Sequence, residues 1–372
     1  MQSCEHIVGE DVRGFPLTIK SFHWAGRQAD APSVYIQASI HGAELQGNAV
    51  IAAVLKALEA TPPLGNVTIV PQCNPIGGNH KVGEYTQGRF DPMTGENWNS
   101  QYFCPTDDWI AAFARTHQHM TRTALEQVFR QALLTEIEAA LQVPWQLSRG
   151  QFLAYSLQRM ACQADYVLDL HTGSQAARYL YLPRYAEAAA QYLHQEHVLL
   201  MENKFGGALD EATFVPWWTL EQQLQSLGYA SDGIQQTEGV TVELGSQEQL
   251  DQARADFEAA GILAYLSAKG VLPTDAYLPN TTLKRYIGRS EDLLTFYAPH
   301  GGLYEFLCAP GACVNQGDVF AQCLQVINYG EQPIVKPVHA PFSGRLVNQI
   351  DSAAVPKGAE LAKFLCDAVV VS

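Results

Sequence analysis

The sequence has few basic residues, no long apolar run and no paired cysteines. Of its 372 residues 23 are lysine or arginine and 38 are aspartate or glutamate, which gives a net charge of -15 at pH 7. An acidic surface disfavours nucleic acid and anionic membranes as partners. No window approaches the ~20 apolar residues of a membrane span, and the first residues lack the pattern of a secretory signal. We therefore expect a cytoplasmic protein that binds neither nucleic acid nor membranes.

Cysteine occurs eight times, without a Cys-x-x-Cys pair. Scattered cysteines favour reduced thiols over a disulfide framework or a cysteine metal site. The hydrophobic fraction of 47% and the charged fraction of 16% are ordinary for a globular protein. The length is sufficient for one large domain and one small domain.

Apolar runs alternate with helical periods over the first part of the chain. Residues 34–40 form a nearly continuous apolar run, which is typical of a strand buried on both faces of a sheet. Residues 45–60 then carry apolar side chains at helical spacing. Further strand-like runs occupy residues 66–71, 166–170 and 240–244. The alternation predicts an α/β sandwich around a mostly parallel mixed sheet, as one catalytic domain over residues 1–275.

The pattern changes after Pro273 to short strand-like runs separated by Gly, Pro, Asn and Asp. We therefore expect residues 290–372 to form a small all-β domain. Residues 72–103 show no period at all. A connection of that length is usually functional or disordered, and its aromatic residues favour function.

Two histidines and one glutamate follow predicted strands. His41 and Glu44 lie on either side of Gly42 after the run at 34–40, and His171 follows the run at 166–170. Gly42 would let the backbone turn so that both side chains face one ion. Ligands gather beyond the carboxyl ends of parallel strands, and two histidines with one carboxylate form a catalytic zinc set that leaves a position for water. We predict that His41, Glu44 and His171 bind one Zn²⁺ per chain.

Two carboxylates lie within these strands. Asp169 precedes His171 by two residues and so faces the same side of the strand. It either orients the His171 imidazole from behind or caps a nearby turn. Glu243 interrupts the apolar run at 240–244, where a carboxylate must be paired, protonated or catalytic. It is our candidate general base, and the alternative is a buried salt bridge.

Four further residues are candidates for contacting a substrate. Arg89, in the aperiodic segment, would stabilise an oxyanion near the metal. Asn97 and Asn99 would orient a substrate carbonyl or carboxylate. Arg178 follows His171 closely and either pairs with a substrate carboxylate or lies on the surface.

Five motifs occur in a characteristic order: Ile40-His41-Gly42-Ala43-Glu44, Asn74-Pro75, the Arg89 to Asn99 segment, Asp169-Leu170-His171-Thr172-Gly173 and Glu243-Leu244-Gly245. From Leu17 to Lys269 the sequence resembles the succinylglutamate desuccinylase/aspartoacylase family of the zinc carboxypeptidase clan. The resemblance implies a zinc-carboxypeptidase-like three-layer sandwich and a zinc-dependent hydrolase that cleaves the amide bond of a small N-acyl amino acid. By motif match, Glu243 would be the general base and acid, and Arg89 would polarise the scissile carbonyl.

One position departs from the family pattern. The Asn-Arg pair that grips a substrate carboxylate in the family falls at Asn99-Ser100, so the arginine is missing. Either Arg178 replaces it, or the substrate lacks that carboxylate. We also expect residues 206–211 and the adjacent Trp217-Trp218 pair to line a pocket, in which the aromatic rings would favour a bulkier or more apolar group.

Two rival functions stay open at the level of sequence. A carboxypeptidase-like peptidase would share the metal chemistry, but it would need an arginine for the terminal carboxylate of a peptide. A non-catalytic binding protein would keep the fold without the reaction. The sequence also leaves open which acyl group and amino acid are used and whether the chains form a homo-oligomer.

Overall fold

A computed structural model of the protein describes residues 1–229, 234 and 237–371. Its largest element is a ten-stranded sheet, and two large clusters of buried apolar side chains lie on the two faces of that sheet. A smaller β region with its own apolar core follows toward the C-terminus. The predicted α/β class and the additional C-terminal β region are therefore confirmed.

The strands differ widely in length. In chain order they are β1 (Gln2–Glu10), β2 (Pro16–Trp24), β3 (Val34–Ala38), β4 (Val67–Val70), β5 (Lys81–Val82), β6 (Tyr85–Thr86), β7 (Tyr166–Gly173), β8 (Gln175–Ala176), β9 (Arg178–Pro183), β10 (His197–Met201), β11 (Glu238–Ser246), β12 (Arg285–Arg289), β13 (Leu293–Tyr297), β14 (Gly302–Phe306), β15 (Cys313–Val314), β16 (Val319–Leu324), β17 (Val335–His339), β18 (Gly344–Gln349), β19 (Ala354–Val355), β20 (Glu360–Leu365) and β21 (Val369–Val371).

The large sheet has the strand order β1-β2-β4-β3-β7-β11-β9-β10-β12-β21. Its central strands β4, β3, β7 and β11 run parallel. The next strand, β9, runs antiparallel to β11, and both edges of the sheet also carry antiparallel pairs. The sheet is thus mixed around a parallel centre.

The helices cover both faces of this sheet. They are α1 (Gln46–Ala60), α2 (Pro75–Asn79), α3 (Asp107–His117), α4 (Arg122–Leu141), α5 (Arg149–Ala161), α6 (Leu209–Ser226) and α7 (Gln252–Ala268). Short 3₁₀ turns occupy Trp98–Ser100, Pro144–Gln146, Arg184–Gln191, Ser290–Asp292 and Val326–Asn328. Helices α1 and α7 contribute to the apolar cluster on one face, and α5 and α6 contribute to the cluster on the other face.

Strand β3 shows how the two faces are separated. All five of its residues are buried, and successive side chains point to opposite faces because the period of a strand is two. Ile36 packs in the cluster with α1 and α7, whereas Tyr35 packs in the cluster with α5 and α6. By the same period Gln37 lies on the face of Tyr35, and this is the face on which the site described below is built.

The segment at 72–103, predicted as an aperiodic functional loop, is ordered over the ends of the parallel strands. It contains α2, the two-stranded β5–β6 hairpin and the turn Trp98–Ser100. Asn74 fixes its start, because the side-chain oxygen accepts from the backbone N–H groups of Ile76 and Gly77 while Nδ2 donates to Ile40 O at 2.7 Å. The asparagine therefore caps α2 and joins it to the end of β3.

The C-terminal β region consists of two small sheets, with strand orders β13-β20-β18-β15 and β17-β16-β14-β19. Phe320 and Phe364 are fully buried in the core between them. Strands β12 and β21, which flank this region in sequence, pair with each other at the edge of the large sheet. The domain boundaries at residues 275 and 290 remain a prediction. Strands from both sides of these boundaries belong to the large sheet.

None of the helices in the described residues combines the length and the apolar character that crossing a bilayer requires.

Close packing of α1 against the sheet depends on Gly47. A Cβ atom at this position would lie 2.8 Å from Ala38 Cβ and 3.0 Å from Leu170 Cβ. We expect Gly47→Val to lower the free energy of unfolding by about 1–3 kcal/mol, because the added methyl groups overpack the interface between helix and sheet. Ala52→Val on the exposed side of the same helix should cost at most ~0.7 kcal/mol in helix propensity. Urea denaturation of both variants measures the difference, and equal losses would contradict it.

Candidate metal centre and its pocket

Three parallel strands end at one edge of the sheet, and the predicted metal ligands lie at that edge. His41 and Glu44 lie between β3 and α1, and His171 lies in β7. In the register of β7 and β11, Glu243 is directly opposite His171. The structure therefore brings together four side chains from three separate segments of the sequence, as expected for the carboxyl ends of parallel strands.

Gly42 has a different role from the one expected. Its backbone is not left-handed, so the turn itself does not demand a glycine. Instead its N–H donates to Gly88 O at 2.9 Å, and a Cβ atom would lie 2.1 Å from Gly77 O. The absence of a side chain thus allows the turn at 41–44 to pack directly on α2 and on the backbone that leads to Arg89.

The carboxylate of Glu44 lies between the two imidazole rings. Its Oε1 is 2.8 Å from His41 Nδ1, and its Oε2 is 3.0 Å from His171 Nδ1. All three residues are buried, and one ligand atom from each lies within 4.8 Å of the others. The three side chains could therefore hold one metal ion.

The contacts of the outer Nε2 atoms orient both imidazole rings, so that Nδ1 of each ring faces the centre. His41 Nε2 lies 2.7 Å from Asn97 Oδ1, and that oxygen also accepts from the backbone N–H of Asn99 at 2.8 Å. Asn97 Oδ1 can only accept, so it stabilises a proton on His41 Nε2. His171 Nε2 lies 2.9 Å from Asp169 Oδ2, a contact between opposite charges when the ring is protonated. The Nδ1 atom of each ring faces the centre and would bind a metal ion once it has lost its proton.

Asp169 is itself held in place by buried polar groups. Its Oδ1 accepts from Gln37 Nε2 at 3.1 Å, and Gln37 Oε1 accepts from Tyr35 OH at 2.9 Å. Asp169 and Gln37 are fully buried. The position of Asp169 behind His171 agrees with the side of the strand on which the sequence placed it, and the chain Tyr35–Gln37–Asp169 fixes the orientation of the ring.

Charges in the centre favour a cation. Burial alone would raise the pKa of Glu44, but His41 and His171 lower it well below its ordinary value. Burial alone would lower the pKa of His171, but Asp169 and Glu44 raise it well above its ordinary value. The carboxylates that stabilise a proton on His171 would equally stabilise a metal ion, since both are positive charges at the same point.

Glu243 faces the same space from β11. It is 8% exposed, and its Oε2 has no hydrogen-bond partner among the described residues. Burial raises the pKa of Glu243 to about 7, with Glu44 and Asp169 adding to the rise and His171 and Arg89 opposing it. A carboxyl group with this pKa exchanges a proton readily at neutral pH, and its unpaired oxygen is available to a ligand.

Arg89 and Asn99 reach the centre from the segment at 72–103. Arg89 Nη1 donates to Glu44 Oε1 at 3.2 Å, and about half of the Arg89 side chain stays exposed. Asn99 Nδ2 lies 3.4 Å from His171 Nε2. Both residues line the cavity above the centre, as does Asn97. Of these three, Asn97 is the most constrained, because its oxygen is already engaged by His41.

Arg178 is a correction. Its partner in the register of β9 and β11 is Leu244, whereas Tyr179 is the partner of Glu243. Arg178 therefore points to the opposite face of the sheet, where its Nε lies 3.5 Å from Oε1 of the buried Glu258 in α7. It does not line the cavity, so it does not replace the missing family arginine.

The two tryptophans are a second correction. Trp217 packs in an apolar cluster with Phe129, and Trp218 packs against Tyr185 and Phe214. Neither lines the cavity. Because they occupy helix α6 and pack into apolar clusters, their aromatic character carries no information about the substrate.

The cavity above the centre has a volume of about 760 Å³. From the predicted pocket segment 206–211, Ala208, Asp210 and Glu211 line it. Residues that the sequence did not indicate also line it, and they come from β9 and from the C-terminal region: Tyr179, Tyr181, Asn348, Glu360 and Lys363. The C-terminal region reaches the cavity because β18 pairs with β8, immediately after the β7 strand that holds His171. This contact depends on pairing between distant segments, so local sequence gives no signal for it.

The catalytic-domain model of the succinylglutamate desuccinylase/aspartoacylase family matches residues 30–269. A solved family protein from Shewanella amazonensis SB2B is 40% identical, with a TM-score of 0.95 over 100% of both chains. Another, from Shewanella frigidimarina NCIMB 400, is 39% identical, with a TM-score of 0.95 over 99% of this chain and 98% of that chain.

A succinylglutamate desuccinylase/aspartoacylase from Rhodobacter sphaeroides is 16% identical, with a TM-score of 0.63 over 94% of this chain and 90% of that chain, and shows a shared fold alone. No curated protein sequence matches the chain. The family-model match and the two Shewanella structures agree with the order of the motifs, and the chain belongs to the succinylglutamate desuccinylase/aspartoacylase family.

Proposed function

We propose that the protein is a zinc-dependent amidohydrolase, a deacylase that cleaves the amide bond of an N-acyl amino acid. The observation that carries the proposal is the unpartnered, buried Oε2 of Glu243 beside the convergent set His41, Glu44 and His171. Family membership supports it, because the family is named for enzymes that remove acyl groups. We further propose a fold of the zinc carboxypeptidase clan, with a catalytic domain over 1–275 and a β domain over 290–372.

The donor set favours zinc among the common metals. Two neutral imidazoles and one carboxylate suit Zn²⁺, whereas Mg²⁺ and Ca²⁺ prefer oxygen ligands alone. Three protein ligands leave one coordination position open, as in catalytic zinc sites. We therefore propose one zinc ion per chain, held by His41 Nδ1, Glu44 and His171 Nδ1.

A zinc ion bound here would lower the pKa of water and polarise the substrate carbonyl. Glu243 takes a proton from the attacking water through its free oxygen and then delivers it to the nitrogen of the scissile bond. The carbonyl carbon gains the hydroxyl group and loses the amine, so the products are a carboxylate and a free amine. Arg89 donates to the oxyanion that develops on the carbonyl oxygen, and Asn99 holds the substrate beside it.

Asn97 and Asp169 position the imidazoles and do not touch the reacting atoms. Each lies against the outer nitrogen of one ligand histidine, at 2.7 Å for Asn97 Oδ1 and 2.9 Å for Asp169 Oδ2. Such partners fix the tautomer and the ring orientation, and they increase the basicity of the ligand nitrogen. We propose this role for Asn97 in place of the substrate contact that the sequence suggested.

Loss of the group behind His171 should weaken metal binding. We expect Asp169→Asn to lower zinc affinity by about 10–100-fold, because the amide no longer provides a negative charge for the imidazole N–H. Competition with a fluorescent chelator measures the affinity. Asp256→Asn, an exposed substitution in α7, is the control and should bind zinc like the parent. Unchanged affinity in Asp169→Asn would refute the positioning role.

Removal of the general base should abolish turnover and leave the metal in place. Glu243→Gln keeps the size of the side chain but cannot accept a proton, so kcat should fall by about 10²–10⁴-fold. Zinc per chain, measured by elemental analysis on the same preparation, should stay at the parent value. The exposed substitution Glu84→Gln serves as control. Near-normal turnover by Glu243→Gln would contradict the assignment of Glu243 as the general base.

Arg89→Met tests the oxyanion contact. The substitution removes the cation but retains an apolar stem of similar length, and kcat should fall by about 10²–10³-fold. Because Arg89 also contacts Glu44, zinc content must be measured beside the rate. A loss of activity that is fully explained by lost zinc would contradict the proposed role in stabilising the oxyanion.

A further inference from the structure

The cavity above the centre is acidic. Besides Glu44 and Glu243, the carboxyl groups that line it are those of Glu202, Asp210, Glu211, Glu291 and Glu360. The cationic side chains are those of Arg89, Lys204 and Lys363. Glu202, Glu291 and Glu360 form ion pairs with Arg184, Arg289 and Lys363. In the described part of the chain, Asp210 and Glu211 form no such pair. A second substrate carboxylate placed against these two groups would meet charge of its own sign, which is unfavourable.

Asp210 is the most deeply placed of the additional carboxyl groups. It lies at the start of α6 and is 3% exposed. Its Oδ2 accepts from Thr241 Oγ1 at 2.8 Å, and its Oδ1 accepts from the backbone N–H of Glu211 at 2.8 Å. Each carboxylate oxygen has two lone pairs, so both oxygens can accept a further bond. No lysine or arginine in the described part of the chain forms an ion pair with Asp210.

Asp210 and Glu243 are linked through β11. Thr241 and Glu243 are two residues apart in this strand and face the same side, and Asp210 accepts a hydrogen bond from Thr241. Both carboxyl groups therefore line the same cavity. Burial and the adjacent Glu211 raise the pKa of Asp210 to about 7, which means that the group gains from any cation brought against it.

Other buried polar atoms facing this cavity also lack partners. Thr172 Oγ1 and Glu243 Oε2 are both buried and without a hydrogen-bond partner among the described residues, and both residues line the cavity. Buried polar groups without partners are costly unless a ligand or water satisfies them. Both atoms are therefore available to form hydrogen bonds with a polar ligand in this cavity.

The backbone near Ser100 fixes this arrangement. A Cβ atom on Gly207 would lie 2.8 Å from Ser100 O, and Gly207 has a left-handed φ of +112°. The segment that leads into α6 therefore packs on the backbone of Ser100 and brings Asp210 into the same cavity. The family pattern has an arginine at the position that Ser100 occupies in this chain. Here the arginine is missing, and the cavity contains the buried carboxyl group of Asp210 instead.

We propose that the substrate is an N-acyl compound with a cationic group, an ammonium or guanidinium, which binds to Asp210 in the cavity that also contains the general base. This inference rests on the proposed deacylase function and names its substrate class. It disfavours acyl derivatives of aspartate or glutamate. Nα-acetyl-L-lysine has the required charge, Nα-acetyl-L-norleucine is its neutral counterpart, and N-acetyl-L-glutamate has a second carboxylate instead.

Binding and hydrolysis together test the inference. Calorimetry on the zinc-loaded protein should show that free L-lysine binds at least about 10-fold more tightly than L-norleucine, since hydrogen bonds to a charged group are worth that much or more, and that L-glutamate binds most weakly. The kcat/KM values of the three N-acetyl compounds should follow the same order. Equal binding of lysine and norleucine, or a preference for glutamate, would overturn the inference.

Asp210→Asn should reduce the ratio of lysine to norleucine, in binding and in kcat/KM, by about 10-fold. Asp275→Asn, an exposed substitution far from the cavity in sequence, should leave the ratio unchanged, and an unchanged ratio in Asp210→Asn would contradict the assignment. The order of binding to the parent protein needs no variant, so it decides the question even if Asp210→Asn fails to fold. Absence of all hydrolysis at normal zinc content would refute the deacylase proposal, whereas the binding order tests the cation subsite separately.

Discussion

The rest of the site depends on which nitrogen of each buried imidazole faces the centre. Asn97 Oδ1 contacts the outer nitrogen of His41 and Asp169 contacts that of His171, so the inner nitrogen of each ring faces the carboxylate of Glu44. Oxygen atoms behind both rings stabilise protons on the outer nitrogens, which leaves the inner nitrogens for a metal ion. The network from Tyr35 through Gln37 to Asp169 is therefore as much a part of the centre as the three ligands.

Several packing features follow from that requirement. Gly42, Gly77 and Gly88 lie against one another without side chains, which holds the turn at 41–44 against the segment that contains Arg89 and Asn97. The side chain of Asn74 ties the same segment to the end of β3. The long connection at 72–103 thus lies over the strand ends, and its contacts with the turn at 41–44 determine its conformation.

Much of this arrangement follows from local sequence. Continuous apolar runs predict the central parallel strands, and the rule that ligands gather at strand ends explains why His41, Glu44, His171 and Glu243 meet. The period of two places Asp169 behind His171.

Arg178 shows where such reasoning ends. Its side of the sheet depends on the register between β9 and β11, and a shift of one residue exchanges Arg178 with Tyr179. Local sequence cannot supply that register, since it is set by pairing between distant segments. The same holds for Asn348, Glu360 and Lys363, which reach the cavity only because the C-terminal sheet pairs with β8.

The C-terminal β region is joined to the rest of the chain at two places: β12, with β21 beside it, pairs with β10, and β18 pairs with β8. These pairings hold Asn348, Glu360 and Lys363 against the cavity. The side chains that hold the centre belong to the first three quarters of the chain. Substitutions in the last quarter can therefore change part of the cavity wall without replacing any residue of the centre.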